Sequence, residues 1–229
     1  MSEQTPSTAN HFAFFRFSRD YYLLSNPERK ELNQRWLSSL QAASDHLEVY
    51  QVYPSQAKAD ILAWSALRAE DSTAAQAFFQ RFAFATNPYR SLIEPVDILW
   101  GFTRPSQYTK TRSSQEIDPF ATTRRTYLVM YPFVKTAAWY LMSREARQGM
   151  MNEHIRIGKQ YPEIAQLLLY SFGIQDQEFI VIYETSDLQQ FGELVYELRD
   201  SEARRYTERD TPLYTAIYHP PEETLALWA

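Results

Sequence analysis

TYLVMYPFV (126–134), a helical run from Ser143 to about Tyr161, AQLLLYSF (165–172), the turn GIQDQ (173–177) and EFIVIYE (178–184) form the stretch that decides the fold. The three short runs are rich in β-branched and aromatic residues and are bounded by turn residues, so they read as strands. Ser143 is placed to cap the helix that follows it. Ser186 opens a further helix whose face carries Leu188, Phe191, Leu194, Val195 and Leu198, the spacing of an amphipathic stripe. LYTAIYH (213–219) reads as a closing strand. The order is strand, helix, strand, strand, helix, strand.

Working outward, the same order is met upstream. HFAFFRF (11–17) reads as a strand. Asn26 as N-cap and Pro27 at the first helical position open a helix with Leu32, Trp36, Leu40 and Ala43 in phase. LEVYQVY (47–53) and ADILAWSAL (59–67) are strands, Asp71 caps a helix striped by Ala75, Phe78, Phe79 and Phe82, and VDILWGF (96–102) is the last strand. The fold class is α+β, two ferredoxin-like βαββαβ halves. The predicted organisation is a disordered tail over 1–10, an N-terminal half over 11–103, a polar linker over 104–125 and a C-terminal half over 126–229. A sheet with both helices on one face needs cover on the other, so the two sheets pack face to face or curl into one barrel. A ligand cavity is then expected between sheet and helix in one half.

Composition narrows the chemistry. The chain has no cysteine, which removes disulfides, thiolate metal sites, thiolate haem ligation and cysteine nucleophiles. The first ten residues are polar and carry no secretory apolar core, and no run is apolar enough for a bilayer; the expectation is a soluble, cytoplasmic protein without a membrane span. Net charge is −5 with basic residues interleaved among acids, so no nucleic-acid footprint is expected. No paired carboxylates, GxSxG or P-loop stand out, and five glycines leave little for phosphate cradles.

There are four histidines. His11, His46 and His219 read as solvent-facing. His154 lies within the helix from Ser143 and shares a face with Ala146, Met150 and Ile157. An imidazole there is either a satisfied core residue or the axial ligand of a haem, which takes a single proximal histidine. Zinc would need three or four ligands at workable spacing.

YPFVKTAAWY (131–140), MMNEHIRIGKQYPE (150–163), YSFGIQDQEF (170–179) and EARRYTERDTPLYT (202–215) occur in that order. Together they resemble the chlorite dismutase-like family of haem proteins, which includes chlorite-decomposing enzymes and coproheme decarboxylases. RPSQYTKTRSSQEID (104–118) is similar to the segment preceding that family's haem domain. The resemblance implies a dimeric-type α+β barrel with haem b or coproheme in the C-terminal half, and a homo-oligomer, a pentamer or in some members a dimer. It implies that His154 binds the iron, that Glu202 accepts from its imidazole, that Lys135 lies beside that carboxylate, and that Trp139 belongs to the haem pocket. It further implies contributions from Tyr108 and Arg112 in the linker.

Tyr131 matches the tyrosine that coproheme decarboxylases oxidise near a propionate. Chlorite-degrading members place an arginine before the YSFG turn; here the position falls on Gln166, or on Ala165 if the gap shifts by one. Arg112 is a possible distal cation, and Arg112, Arg124 and Lys110 are candidates to meet propionates. The resemblance therefore points to a haem-dependent oxidoreductase, a peroxide-dependent coproheme decarboxylase, with Tyr131, Lys135 and Gln166 catalytic. The alternatives are a chlorite dismutase and a non-catalytic haem-binding protein. Partners are then a porphyrin and a small oxidant, hydrogen peroxide or chlorite.

Overall fold

The computed structural model describes residues 7–69, 71, 73–108 and 113–229. In chain order its elements are β1 (Thr8–Phe17), α1 (Arg19–Leu23), α2 (Asn26–Ala43), β2 (His46–Gln51), β3 (Ile61–Arg68), α3 (Ala74–Thr86), β4 (Ile93–Phe102), β5 (Tyr127–Lys135), α4 (Ala137–Leu141), α5 (Arg144–Gly158), β6 (Ala165–Tyr170), β7 (Phe179–Thr185), α6 (Leu188–Arg199), β8 (Thr207–Arg209), β9 (Tyr214–Tyr218) and α7 (Pro221–Ala226). They gather into two compact units. One holds the residues up to Thr103 together with Tyr214–Ala229; the other holds Arg104–Leu213. No helix among the described residues is long and apolar enough to cross a membrane.

In the first unit the strands run β4-β1-β3-β2-β9, each antiparallel to its neighbour. β1 is central and buried on both faces, which is why HFAFFRF is apolar almost throughout rather than alternating. α2 is capped by Ser25, one residue before the expected cap, because Ser25 and Glu28 form a reciprocal capping box. Asp71 lies outside α3 and accepts instead from the backbone N–H and hydroxyl of Thr73. Trp36, Leu40, Phe78 and Phe82 from the two helices share one core cluster with Ala13 and Phe15 of β1.

His11 departs from expectation: it is 3% exposed. Alternation along β1 puts it in phase with Ala13 and Phe15, so its ring enters the helix side of the sheet. There it meets Phe78 and Phe82 edge-on at 5.1 and 4.7 Å, and its Nδ1 has no hydrogen-bond partner. The strand 213–219, expected to close the second half, pairs with β2 of the first unit through Tyr50–Tyr218 and Gln51–Ile217. α7 follows it, with Leu225 in the first unit's core and the Thr224 hydroxyl donating to the Val49 carbonyl at 2.9 Å.

In the second unit β6, β7 and β5 pair antiparallel, and β8 adds to β5. Register fixes which side chains share a face, since directly paired residues project to the same side. Val129, Tyr183 and Gln166 form one row, Tyr131, Val181 and Leu168 the next, and Phe133, Phe179 and Tyr170 the third. Ile157 of α5, Tyr161 in the turn after it, and Phe191 and Leu194 of α6 pack in one cluster with Val129, Val181 and Tyr183, so this is the helix side. Leu128, Met130, Ile180, Ile182 and Glu184 occupy the opposite side by the same alternation.

The linker is anchored to the second unit by Arg124. Its guanidinium pairs with Glu184 at 3.4 Å and donates to the carbonyls of Asp118 and Pro119 at 3.0 and 2.8 Å. With its side chain 1% exposed, Arg124 does not stand at a pocket rim, contrary to the sequence expectation.

Two outcomes follow from these burials. Burial lowers the pKa of His11 from 6.5 to about 3. The unfolded chain therefore takes up this proton first, and stability is lost as pH falls from about 6.5 towards 3. In His11→Leu the drop in unfolding free energy between pH 7 and pH 5, measured by urea titration, should shrink by about 2 kcal/mol. Arg124→Met should lower stability by about 3–5 kcal/mol, the range for removing one member of a buried ion pair.

Candidate functional site

α5 carries the candidate metal ligand. Ser143 caps it as expected, its hydroxyl accepting from the Ala146 N–H at 3.2 Å. His154 sits one turn before Ile157, which is packed against the sheet, and three residues apart is the same helix side. The ring is half-buried, and its Nδ1 is enclosed without a hydrogen-bond partner. Burial first and the Lys135 charge second lower its pKa to about 4, against an opposing pull from Glu153. The imidazole is thus neutral at pH 7 and keeps a lone pair for a metal. Among the described residues no three metal-ligating side chains cluster. A donor set of one neutral imidazole suits a metal that brings its other ligands in a macrocycle.

Lys135 ends β5. Its backbone N–H donates to the Glu178 carboxylate at 2.8 Å, and its ammonium donates to the Thr207 hydroxyl at 3.2 Å and the Ala203 carbonyl at 3.4 Å. The ammonium also lies 4.7 Å from the ring centre of Trp139, within cation–π range. Burial, then the nearby Arg204, lower its pKa to about 8, with Glu178 opposing. Trp139 is buried on α4 and packs against Tyr206 at 5.9 Å; it walls in Lys135.

Tyr131 is the phenol of the middle row. Burial raises its pKa and the Asp210 charge adds to the rise, while Tyr183, whose ring centre lies 6.3 Å away, and the charges of Arg199 and Arg204 oppose it. Arg199 and Arg204 converge on the Asp210 carboxylate at 2.9 and 2.7 Å. Gln166 stands on the same helix side and is exposed, whereas Ala165 is buried on the opposite side. Leu168, between Gln166 and Tyr170, is 37% exposed, an apolar floor that the helices leave open. The rows span two strand spacings, about 10 Å.

The linker meets this face at Gln166. The Ile117 N–H donates to the Gln166 carbonyl at 3.0 Å, and the Gln166 N–H donates to the Gln115 carbonyl at 2.7 Å. The Gln115 side-chain amide donates to the carbonyls of Gly158, Tyr161 and Ile164 at 3.3, 2.8 and 3.0 Å, satisfying acceptors left over at the end of α5. Tyr108 is tied to the first half of the same helix, its carbonyl accepting from the Gln148 amide at 3.2 Å. Arg112 and Lys110 lie outside the described residues.

One expected contact is not formed. The Glu202 side chain is 57% exposed and pairs with Arg205 at 3.5 Å; it does not receive a hydrogen bond from His154. Glu202 opens a 3₁₀ turn (Glu202–Tyr206) whose first N–H donates to Glu153 at 3.2 Å, so the turn presents its backbone, not its carboxylate, to α5. Sequence reading also passed over Glu153, Glu178, Gln115 and Tyr183. For Tyr183 there was a signal: its phase along EFIVIYE sets it on the face of Tyr131 once the register is known.

The chlorite dismutase family model matches residues 29–219. The chain belongs to the chlorite dismutase family. A protein from Mycolicibacterium smegmatis named coproheme decarboxylase is 29% identical over 169 residues, which cover 73% of this chain and 70% of that protein. One of the same name from Staphylococcus saprophyticus is 35% identical over 162 residues, 65% of this chain and 64% of that protein. A mutant chlorite dismutase from Candidatus Nitrospira defluvii superposes with a TM-score of 0.84 at 22% identity, covering 100% of this chain and 99% of that one. The ferredoxin-like α+β fold read from the sequence is the fold of this family.

The bracing of Gln166 by the linker is open to measurement. Gln115→Ala should lower stability by about 1–2 kcal/mol and speed hydrogen exchange at the Ile117 and Gln166 amides, with little change at the amides of β5.

Proposed function

We propose that this chain is a haem-dependent oxidoreductase that decarboxylates coproheme with hydrogen peroxide. The observation that carries the reading is the placement of Tyr131 and Gln166 on one sheet face beside the helix bearing the neutral imidazole of His154. Relatives named coproheme decarboxylase support it. An iron porphyrin held by His154 supplies the oxidising equivalents of peroxide. The chain supplies position and charge. Arg199 and Arg204, which converge on Asp210, act on Tyr131, and Lys135 lies near Arg204; these cations suit a substrate bearing four propionates. Trp139 and Tyr206 keep water from the stem of Lys135. The Tyr131 hydroxyl gives up a hydrogen atom and regains one from the propionate carbon. Each propionate group, with one hydrogen peroxide and one proton, becomes a vinyl group, carbon dioxide and two waters.

Gln166 donates one hydrogen bond on the open face but holds no anion by charge. That separates this reading from the chlorite dismutase reading, which the fold likeness keeps in view; in an oxygen electrode added chlorite should give no rapid burst. The same proposal has the 104–125 segment completing the porphyrin pocket, and the protein acting in the cytoplasm as a homo-oligomer, a pentamer rather than a dimer.

Incubating pure protein with ferric coproheme and peroxide should yield a porphyrin lacking two carboxyl groups by mass spectrometry. His154→Ala should lose the Soret band on reconstitution. Tyr131→Phe should keep porphyrin binding and lose turnover by about 100-fold or more, the scale of a positioned hydrogen-transfer group. Recovery of unaltered coproheme with its iron bound would sink the proposal.

A further inference from the structure

A ligand with four carboxylates needs cations to meet them, and several in the second unit are already engaged. Arg124 pairs with Glu184, Arg199 and Arg204 share Asp210, and Arg205 pairs with Glu202. Arg147 on α5 is different. It is half-buried, its Nε is enclosed without a hydrogen-bond partner, and it meets no carboxylate among the described residues. An enclosed donor left unmet is costly, and an acceptor brought by a ligand is its natural complement. Phase along the helix gives its direction. Arg147, Met150, Met151 and His154 follow one another at spacings of three and four, which is one helix face. Arg144 and Arg156 fall out of that phase and are exposed. Arg147 thus stands on the side of His154, two turns away, about 10 Å along the axis.

The surroundings of Arg147 are aromatic. Its charge acts on Tyr140 of α4, whose hydroxyl donates to the Glu178 carboxylate. Phe172 lies 6.2 Å from the Tyr140 ring and 6.4 Å from that of Tyr170. Tyr170 belongs to the third row of the helix side, and the guanidinium of Arg104 lies 5.6 Å from its ring centre. Arg104, too, meets no carboxylate among the described residues. The strip Tyr140–Phe172–Tyr170 therefore has an arginine near each end. We infer that Arg147, assisted by Arg104, binds carboxylates at the rim of the porphyrin and so selects a ligand rich in carboxylates over one without them. The inference rests on the proposed coproheme chemistry. An iron at the centre of a macrocycle keeps the rim groups away from its axial ligand, so a residue that meets them has to stand off from His154 along the helix. A guanidinium offers a carboxylate two parallel N–H donors, which an ammonium does not. Shielding by the rings strengthens such a bond. The role is one of binding and specificity, with no bond made or broken at either arginine.

Titration of the Soret band gives the Kd of ferric coproheme without turnover. Arg147→Met should raise that Kd about tenfold or more, the worth of one hydrogen bond to a charged group. Arg104→Met should raise it about threefold, since that arginine is exposed. Arg147→Lys keeps the charge but not the fork and should fall between the wild-type protein and Arg147→Met. The tetramethyl ester of ferric coproheme keeps the macrocycle and loses the charges. Both methionine variants should bind it as the wild-type protein does, which also shows that the pocket is intact. Equal weakening of acid and ester in Arg147→Met overturns the inference, and so does an unchanged Kd for the acid. If Arg147→Met loses affinity for the acid alone while peroxide leaves coproheme unaltered in the wild-type protein, the decarboxylation reading fails and the role of Arg147 stands. A wild-type protein that takes up no ferric coproheme overturns both.

Discussion

The register of three strands governs the second unit. Along β5, β7 and β6 the side chains alternate, and a slip of one residue in any strand would exchange the two faces. Tyr131, Gln166 and Tyr183 would then turn away from α5, and Met130, Ile182 and Leu167 would take their places. The helix side is held in phase by packing: Ile157 on α5, Tyr161 just beyond it, and Phe191 and Leu194 on α6 have apolar partners only in the observed register. Chemistry and core thus share one constraint. The polar groups on the face are interleaved with residues that cannot be moved without exposing the core.

The same packing sets the electrostatics. His154 is kept neutral because the helix–sheet interior disfavours a charged ring and because Lys135 adds a like charge nearby. Lys135 in turn tolerates burial through a hydroxyl, a carbonyl and an indole face, each of which offers something to an ammonium without neutralising it. The nearest acids are engaged elsewhere: Glu153 on the backbone of the Glu202–Tyr206 turn, Glu178 on the Lys135 N–H and the Tyr140 hydroxyl. The result is a single buried ammonium close to the helix that carries His154.

Much of this was legible in the residues. Most strands were legible as short runs of β-forming residues, though not the pairing of 213–219 with β2, and Ser143 marked the start of α5 because a hydroxyl before a helical stripe has a specific partner to find. Other boundaries shifted by a residue where two capping residues stand side by side: Ser25 before Asn26, and Asp187 after Ser186. His11 escapes a reading in which the strand opens at residue 11 and leaves it at an edge; β1 begins at Thr8, and its pairing with β3 and β4 turns the ring inward. Glu202 was placed by resemblance, and a motif fixes sequence position, not the direction in which a 3₁₀ turn aims its side chain. Gln115 left no trace at all, since what it binds is the loose end of a helix more than forty positions downstream.

The return of Tyr214–Ala229 to the first unit has a consequence for how the protein is made. Until that segment leaves the ribosome, β2 has an unpaired edge and the Asn33 amide lacks the Leu225 carbonyl it will bind at 3.1 Å. The second unit, whose residues are contiguous, is free to complete itself during translation, whereas the first must wait with part of its core open. A chaperone that meets this chain while it is being synthesised would find its target in the earlier-born half.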